Sequence, residues 1–296
     1  MRYLLCPGQG SQKPGFLKPW IENESFASLI GQYSEITGLD LIQLGTEATA
    51  EEIAETSITQ PLIVAASIAS ARTIFVDQIS SHFDAVVGHS VGEFAAAALS
   101  GVLTDEQALT LVSARAQAMQ KAAEEIETGM AAAIGQDLAE LERSLGDLQI
   151  ANYNGANQYV VAGTKTDLTA FIENPPAGFR IIPLSVSGAF HTSFMNPASE
   201  SLQEIFESVK PNDPEITVFS NRDGRPVTTG EDFVASLLKQ VSSPVRWDQC
   251  MESMQEQSKF AELAPSGVLS NLVKKTISNA EIYALKSPDE SIDFRQ

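Results

Sequence analysis

The segment Ala85-Val86-Val87-Gly88-His89-Ser90-Val91-Gly92-Glu93 leaves this chain few folds to choose from. Three apolar residues of strand type run into a serine set between glycines, and residues 93–99 are strong helix formers with Gly101 as a stop. A strand that becomes a helix across so short a turn needs glycines beside it, and the strained turn pushes the serine hydroxyl out above the sheet. G-x-S-x-G in this context predicts a nucleophile at Ser90, next to a helix N-terminus that favours developing negative charge.

The surrounding pattern is α/β. Residues 3–6 read as a short buried strand opening into the turn Pro7-Gly8-Gln9-Gly10, and Phe26 to Ile36 follow helical spacing until Gly38. Pro61 opens a helix over 62–75 that is apolar or small on nearly every face, as in a buried helix. Thr104 and Gln107 form a capping box, and the helix they start carries Arg115 and Met119 before ending near Gly129. The elements then shorten. Strands over 130–134, 148–152, 158–162 and 179–184 enclose helices over 137–145 and 165–173, the βαββαβ order of a ferredoxin-like unit. Afterwards the chain resumes alternation with a helix over 197–209, a strand over 216–219, a turn at Asn221-Arg222-Asp223-Gly224, two more helices and a strand over 260–263. The expectation is a discontinuous large unit, residues 1–127 and 188–296, with a small unit, 128–187, inserted in it.

A nucleophilic serine requires a base, and the chain has three histidines. His89 adjoins Ser90 in a tight turn, where neighbouring side chains diverge, so bracing the turn is its expected role. His82 falls in a loop before a strand and is assigned none. His191 follows Gly188-Ala189-Phe190, where the chain returns to the main unit, and is the expected base. The 38 acidic residues do not single out a third member, and a backbone carbonyl can orient a histidine as well. Gly8-Gln9-Gly10-Ser11-Gln12 lacks the lysine and spacing of a phosphate loop; its backbone amides suit an oxyanion instead. Arg115 taken alone reads as a solvated or snorkelling arginine before it reads as a functional one.

Composition narrows the function class. With 19 Lys and Arg against 38 Asp and Glu, a net charge of −19 repels nucleic acid and anionic membranes. Cys6 and Cys250 allow at most one disulfide, and no Cys/His cluster has zinc spacing, so reduced thiols, a cytoplasmic setting and no metal are expected. No segment has the length of a signal h-region or the ~20 apolar residues of a spanning helix.

Taken in order, Pro7-Gly8-Gln9-Gly10-Ser11-Gln12, Thr59-Gln60-Pro61, Gly88-His89-Ser90-Val91-Gly92-Glu93, Arg115 with Met119, Gly188-Ala189-Phe190-His191 and Pro244-Val245-Arg246-Trp247 resemble the malonyl-CoA:acyl carrier protein transacylases and related acyltransferases of fatty acid and polyketide synthesis. The likeness spans nearly the whole chain. It implies a hydrolase-like α/β core with a mostly parallel sheet and an inserted ferredoxin-like subdomain. It also implies Ser90 as nucleophile, His191 as base, the amides of Gln9 and Val91 as oxyanion hole, and Arg115 as anchor for the substrate's free carboxylate, with Gln60 and Met119 beside it. Phe190 belongs to the malonyl-selecting version of its segment, in which a bulky ring crowds an α-methyl branch.

Arg246 stands where some members carry a glutamine whose carbonyl orients the histidine, a backbone role that survives substitution. Ala264-Pro265-Ser266-Gly267 replaces a common Gly-Pro-Gly, and Thr192 a common serine. The implied partners are malonyl-CoA and an acyl carrier protein, with no metal or redox cofactor and no need of more than a monomer. Lys274, Lys275, Arg222 and Arg225 are candidates for the carrier-docking patch. A serine thioesterase or hydrolase using the same elbow, a polyketide-pathway acyltransferase and a non-catalytic docking module are the alternatives.

Overall fold

The computed structural model describes residues 1–186 and 188–290; Ser187, in the segment returning to the main unit, lies outside the described residues. Ten strands are described: β1 (Arg2–Cys6), β2 (Ala85–Gly88), β3 (Thr128–Ile134), β4 (Gln149–Tyr153), β5 (Gln158–Thr164), β6 (Arg180–Pro183), β7 (Thr217–Phe219), β8 (Val245–Arg246), β9 (Lys259–Glu262) and β10 (Glu281–Ala284). Five of them form a wholly parallel sheet in the order β10-β9-β1-β2-β7. Central β1 serves both faces: Leu4 and Cys6 join the helical core on one side, while Tyr3 and Leu5 pack with Trp247 and Phe260 on the other. Burial on both faces is why residues 3–6 form an unbroken apolar run. Both β1 and β2 open at their C-terminal ends into glycine turns, the edge at which open parallel sheets bind ligands.

The second sheet has the order β6-β3-β5-β4-β8. Its first four strands pair antiparallel, with helices Leu138–Ser144 and Lys165–Glu173 in the expected βαββαβ order. Val245–Arg246 then adds a parallel edge strand from the C-terminal part of the chain. Ala131, Ala133 and Val161 pack under this sheet's own helices. Met130, Ala132 and Val160, on the opposite face, line the cavity described below. The architecture is α/β, a hydrolase-like parallel core with a smaller ferredoxin-like subdomain.

Local expectations shift in several places. Pro61 lies inside helix Thr56–Ile74, which starts well before the proline and is buried along most of its length. The capping box of Thr104 and Gln107 is present, but its helix stops at Glu125, and Gly129 belongs to β3. Glu124 and Glu125 place negative charge at a helix C-terminus, against the dipole. The single helix over 197–209 is two, Asn196–Ser201 and Gln203–Ser208. At the break the Ser201 hydroxyl donates to the Ala198 carbonyl (2.8 Å), competing with the backbone ladder. His82 closes a short helix, Ile79–His82, instead of lying in a loop. Helix Val268–Thr276 and β10 have no counterpart in the sequence reading. The N-cap of that helix is Gly267, which has no side chain to cap with; buried Glu262 caps it from β9, accepting from the amides of Gly267 (2.8 Å), Leu269 (2.9 Å) and Ser270 (2.8 Å). Among the described residues no helix is long and apolar enough to cross a membrane.

Candidate active site

The turn after β2 is as tight as its glycines require. A Cβ at Gly88 would lie 2.3 Å from the Glu93 amide nitrogen, and one at Gly92 would lie 2.2 Å from the Cys6 carbonyl oxygen. Between them Ser90 takes φ +50°, a left-handed conformation unfavourable for a residue with a Cβ. Asn221 holds it there from just beyond β7. Its Oδ1 accepts from the Ser90 amide (2.7 Å), its Nδ2 donates to the Gly88 carbonyl (2.8 Å), and the side chain is fully buried. His89 braces the turn as expected: its Nε2 meets Asn154 Oδ1 at 2.9 Å, just past β4, and its ring packs against Trp247.

Ser90 Oγ lies 2.6 Å from His191 Nε2. His191 has φ +61°, so Ser90 and His191 both occupy strained backbone. Its Nδ1 is 2.8 Å from the Gln240 main-chain carbonyl, which can only accept. Nδ1 therefore carries the proton, and Nε2 offers its lone pair to the serine hydroxyl. Burial, then the neighbouring charge of Arg115, pushes the imidazole down to about 3, so it is neutral and able to take a proton at neutral pH. The orienting carbonyl is thus that of Gln240, which corrects the sequence expectation of Arg246. Arg246 lies at the start of a helix instead, its guanidinium forked onto Asp248 (3.0 and 2.8 Å) and stacked over Tyr153.

Ser90 and His191 open onto a cavity of about 550 Å³ that also receives Gln9, Gln60, Arg115, Met119 and Phe190. Arg115 is fully buried, unlike a surface arginine. Nη1 donates to Gln60 Oε1 (2.6 Å), Nη2 donates to Gln240 Oε1 (3.0 Å), and Nε has no partner among the described residues. Burial lowers the guanidinium to about 10, against the attraction of Glu93, and it stays charged at neutral pH. A buried cation with donors to spare, facing a cavity that holds the hydrogen-bonded pair Ser90 and His191, suits a substrate with a carboxylate beside a reacting carbonyl.

Gln60 Nε2 contacts Met119 Sδ at 3.6 Å, so these two expected substrate neighbours also touch one another. Phe190 lies against Gly188, where a Cβ would come within 2.6 Å of the ring. Gln9 lies in the turn after β1, which Gln12 pins by accepting from the Gly10 amide (2.9 Å) and donating to the Ile53 carbonyl (3.2 Å). Val91 opens the helix Gly92–Leu99. Lys275 reaches the cavity, whereas Arg222 is paired with Asp232 at 2.9 Å and lines a separate cavity with Arg246. Among the described residues no group of three or more His, Cys, Asp or Glu is placed to hold a metal.

Sequence reasoning missed Asn221, Glu93 and Gln240. Glu93 was part of the motif but carried no role; it is fully buried and accepts from the Asn221 amide (2.7 Å) and from the Gln240 side-chain amide. Burial lifts its carboxyl to about 8, while those two donors and the charge of Arg115 pull the other way. One signal was available for Asn221: a polar residue just past the C-terminal end of a core strand lies where parallel sheets bind ligands.

Residues 3–289 match the family described as the acyl transferase domain. The chain is 41% identical over 290 residues to a malonyl CoA-acyl carrier protein transacylase of Mycobacterium bovis, covering 96% of each. Its fold matches a crystal structure of MCAT from Mycobacterium tuberculosis with a TM-score of 0.93 at 38% identity, covering 100% of both chains. It also matches a malonyl-transacylase solved in complex with a type II PKS acyl-carrier protein, with a TM-score of 0.89 at 29% identity over 99% of this chain and 98% of that one.

Proposed function

The chain belongs to the acyl transferase family, and from that premise we infer that it transfers a malonyl group from malonyl-CoA to the phosphopantetheine thiol of an acyl carrier protein, supplying extender units for fatty acid synthesis. The observation that carries the reading is the 2.6 Å contact of Ser90 Oγ with His191 Nε2 in the same cavity as the buried guanidinium of Arg115.

In the first half-reaction His191 Nε2 takes the Ser90 proton as Oγ attacks the thioester carbonyl of malonyl-CoA. The amides of Gln9 and Val91 receive the oxyanion, and among the described residues neither donates to another group of the chain. Collapse breaks the C–S bond, the imidazolium returns its proton to the departing thiolate, and a malonyl ester remains on Ser90. In the second half the pantetheine thiol gives its proton to His191, its sulfur attacks the ester, and Ser90 leaves with that proton. Arg115 holds the malonate carboxylate throughout, beside Gln60 and Met119, and Phe190 crowds an α-methyl branch. No step of this scheme runs through a metal or redox cofactor, and none needs a second copy of the chain. In the same reading residues 1–127 and 188–296 carry nucleophile, base and anchor, the small unit 128–187 walls the cavity, and Lys275 at the cavity is the docking candidate best placed for an acidic carrier. The reduced thiols suit a cytoplasmic setting.

Brief exposure to malonyl-CoA followed by intact-mass measurement tests the reading. The expected result is a malonyl adduct that is absent from Ser90→Ala and is discharged by holo carrier protein. Free malonate as the main product with or without carrier would make the chain a hydrolase, and an adduct that survives Ser90→Ala would remove Ser90 as nucleophile.

A further inference from the structure

Beneath the cavity runs a chain of contacts whose direction is dictated by donor and acceptor chemistry. Both carboxyl oxygens of Glu93 face N–H donors, Oε1 the Asn221 amide and Oε2 the Gln240 side-chain amide. A glutamine amide has one donating and one accepting end. Nε2 of Gln240 faces acceptors only, Glu93 Oε2 and, at 3.4 Å, the Ser90 carbonyl and Asn221 Oδ1, so its Oε1 turns the other way and accepts from Arg115 Nη2 at 3.0 Å. The opposite orientation would set Nε2 against a guanidinium, donor against donor, and Oε1 against a carboxyl oxygen. The main-chain carbonyl of the same glutamine accepts from His191 Nδ1. Gln240 thus touches the carboxylate-facing cation through its side chain and the base through its backbone. Glu93 and Gln240 are both buried, so water does not take over either role.

We propose that Glu93 and Gln240 are positioning residues for substrate selection: Glu93 sets the sense of the Gln240 amide, and Gln240 aims the Arg115 guanidinium at the free carboxylate of the acyl group while tying that anchor to the base. This rests on the reading of Arg115 given under the proposed function. A guanidinium is a planar fork whose value lies in its orientation. Gln60 and Gln240 are its two acceptors, one on each terminal nitrogen, and together they fix the plane of the fork. With Gln240 Oε1 gone, Gln60 alone holds it, and the fork is free to turn away from a carboxylate that needs two parallel bonds. A donor with no free carboxylate makes no use of the fork and depends only on Ser90, His191 and the oxyanion amides.

The test compares ester formation on Ser90 from malonyl-CoA and acetyl-CoA, by quenched-flow mixing and intact mass, in the full chain and two variants. Gln240→Leu removes both ends of the amide and keeps the carbonyl that orients His191. Glu93→Leu removes both acceptors whether the carboxyl is charged or protonated, so the Gln240 amide loses its fixed sense; it carries the test if Gln240→Leu does not fold. In each variant the malonyl-to-acetyl ratio of kcat/KM is expected to fall about tenfold or more, the scale of one hydrogen bond to a charged group. The double variant is expected to fall no further than Gln240→Leu alone, since both act on the same contact. Equal slowing with both donors, an unchanged ratio, or losses that add in the double variant would overturn the proposal. Failure of the parent chain to form a malonyl ester would overturn the underlying reading instead, which separates the two failures.

Discussion

Replacing Asn221 with leucine, a side chain of similar volume, takes two hydrogen bonds from the turn that carries the nucleophile. The Ser90 amide loses its acceptor at 2.7 Å and the Gly88 carbonyl its donor at 2.8 Å, at a position that is 0% exposed. A buried polar group left without a partner costs about 1–3 kcal/mol, so two such groups cost about 2–6 kcal/mol if nothing moves. Something can move, because Ser90 is held at φ +50°, a conformation that itself costs about 1–2 kcal/mol. Relaxation of the turn recovers part of the penalty but draws Oγ out of its 2.6 Å contact with His191. The expected outcome is therefore divided: a stability loss of about 2–4 kcal/mol, and a fall of about 10²-fold in the rate of serine ester formation, the scale on which misplacement of a reacting group by about an ångström acts. Urea unfolding followed by near-UV signals of buried Trp20 and Trp247 reads the first, and quenched-flow acylation the second. Asn221→Asp is a sharper companion: it keeps an acceptor for Ser90 but sets another against the Gly88 carbonyl, near Glu93, and should be destabilised too. An Asn221→Leu protein that unfolds within about 0.5 kcal/mol of its parent, the spread of a neutral surface change, and acylates at the parent rate would refute the account of the elbow.

The base should make activity insensitive to mild acid. With His191 pushed down to about 3, kcat/KM for ester formation is expected to stay flat from pH 7.5 to pH 5; an acid limb centred near 6.5, the unperturbed histidine value, would contradict this. Stability depends on the same groups: between 6.5 and about 3 the unfolded chain binds a proton that folded His191 refuses, and His89, displaced downward by burial, adds to this, whereas Glu93, lifted to about 8, keeps a proton that the unfolded carboxyl lacks down to 4.5, so the fold weakens with acid only below about 4.5. Measured unfolding free energies that rise on acidification from 4.5 toward 3 would sink that assignment. For the acyl pocket, Phe190→Ala should raise kcat/KM for methylmalonyl-CoA relative to malonyl-CoA by about 10-fold to 10²-fold, the reach of one methyl group in a tight site. An unchanged ratio would place the branch exclusion elsewhere.

Much of this molecule is written locally. A strand, a glycine-bounded serine and a helix specify the elbow through steric limits that act within a few residues, and the alternation of periods two and 3.6 specifies most strands of both sheets but not the edge strands β8 and β10. The capping box at Thr104, the stop at Gly38 and the extent of helix Lys165–Glu173 were legible because each rests on neighbouring backbone groups. Elimination among three histidines led to His191. Tertiary structure alone decided what these groups lean on. Gln240 reads as the unremarkable end of an amphipathic helix and Asn221 as a turn residue, yet each is a hydrogen-bond partner of Ser90 or His191 from more than 45 positions away (49 and 131). That Arg115 faces the cavity and not the surrounding water follows from Gln60 and Gln240, which hold it from other helices. Such roles leave no periodicity to read, because a buried polar atom is satisfied by whichever segment folding brings to it.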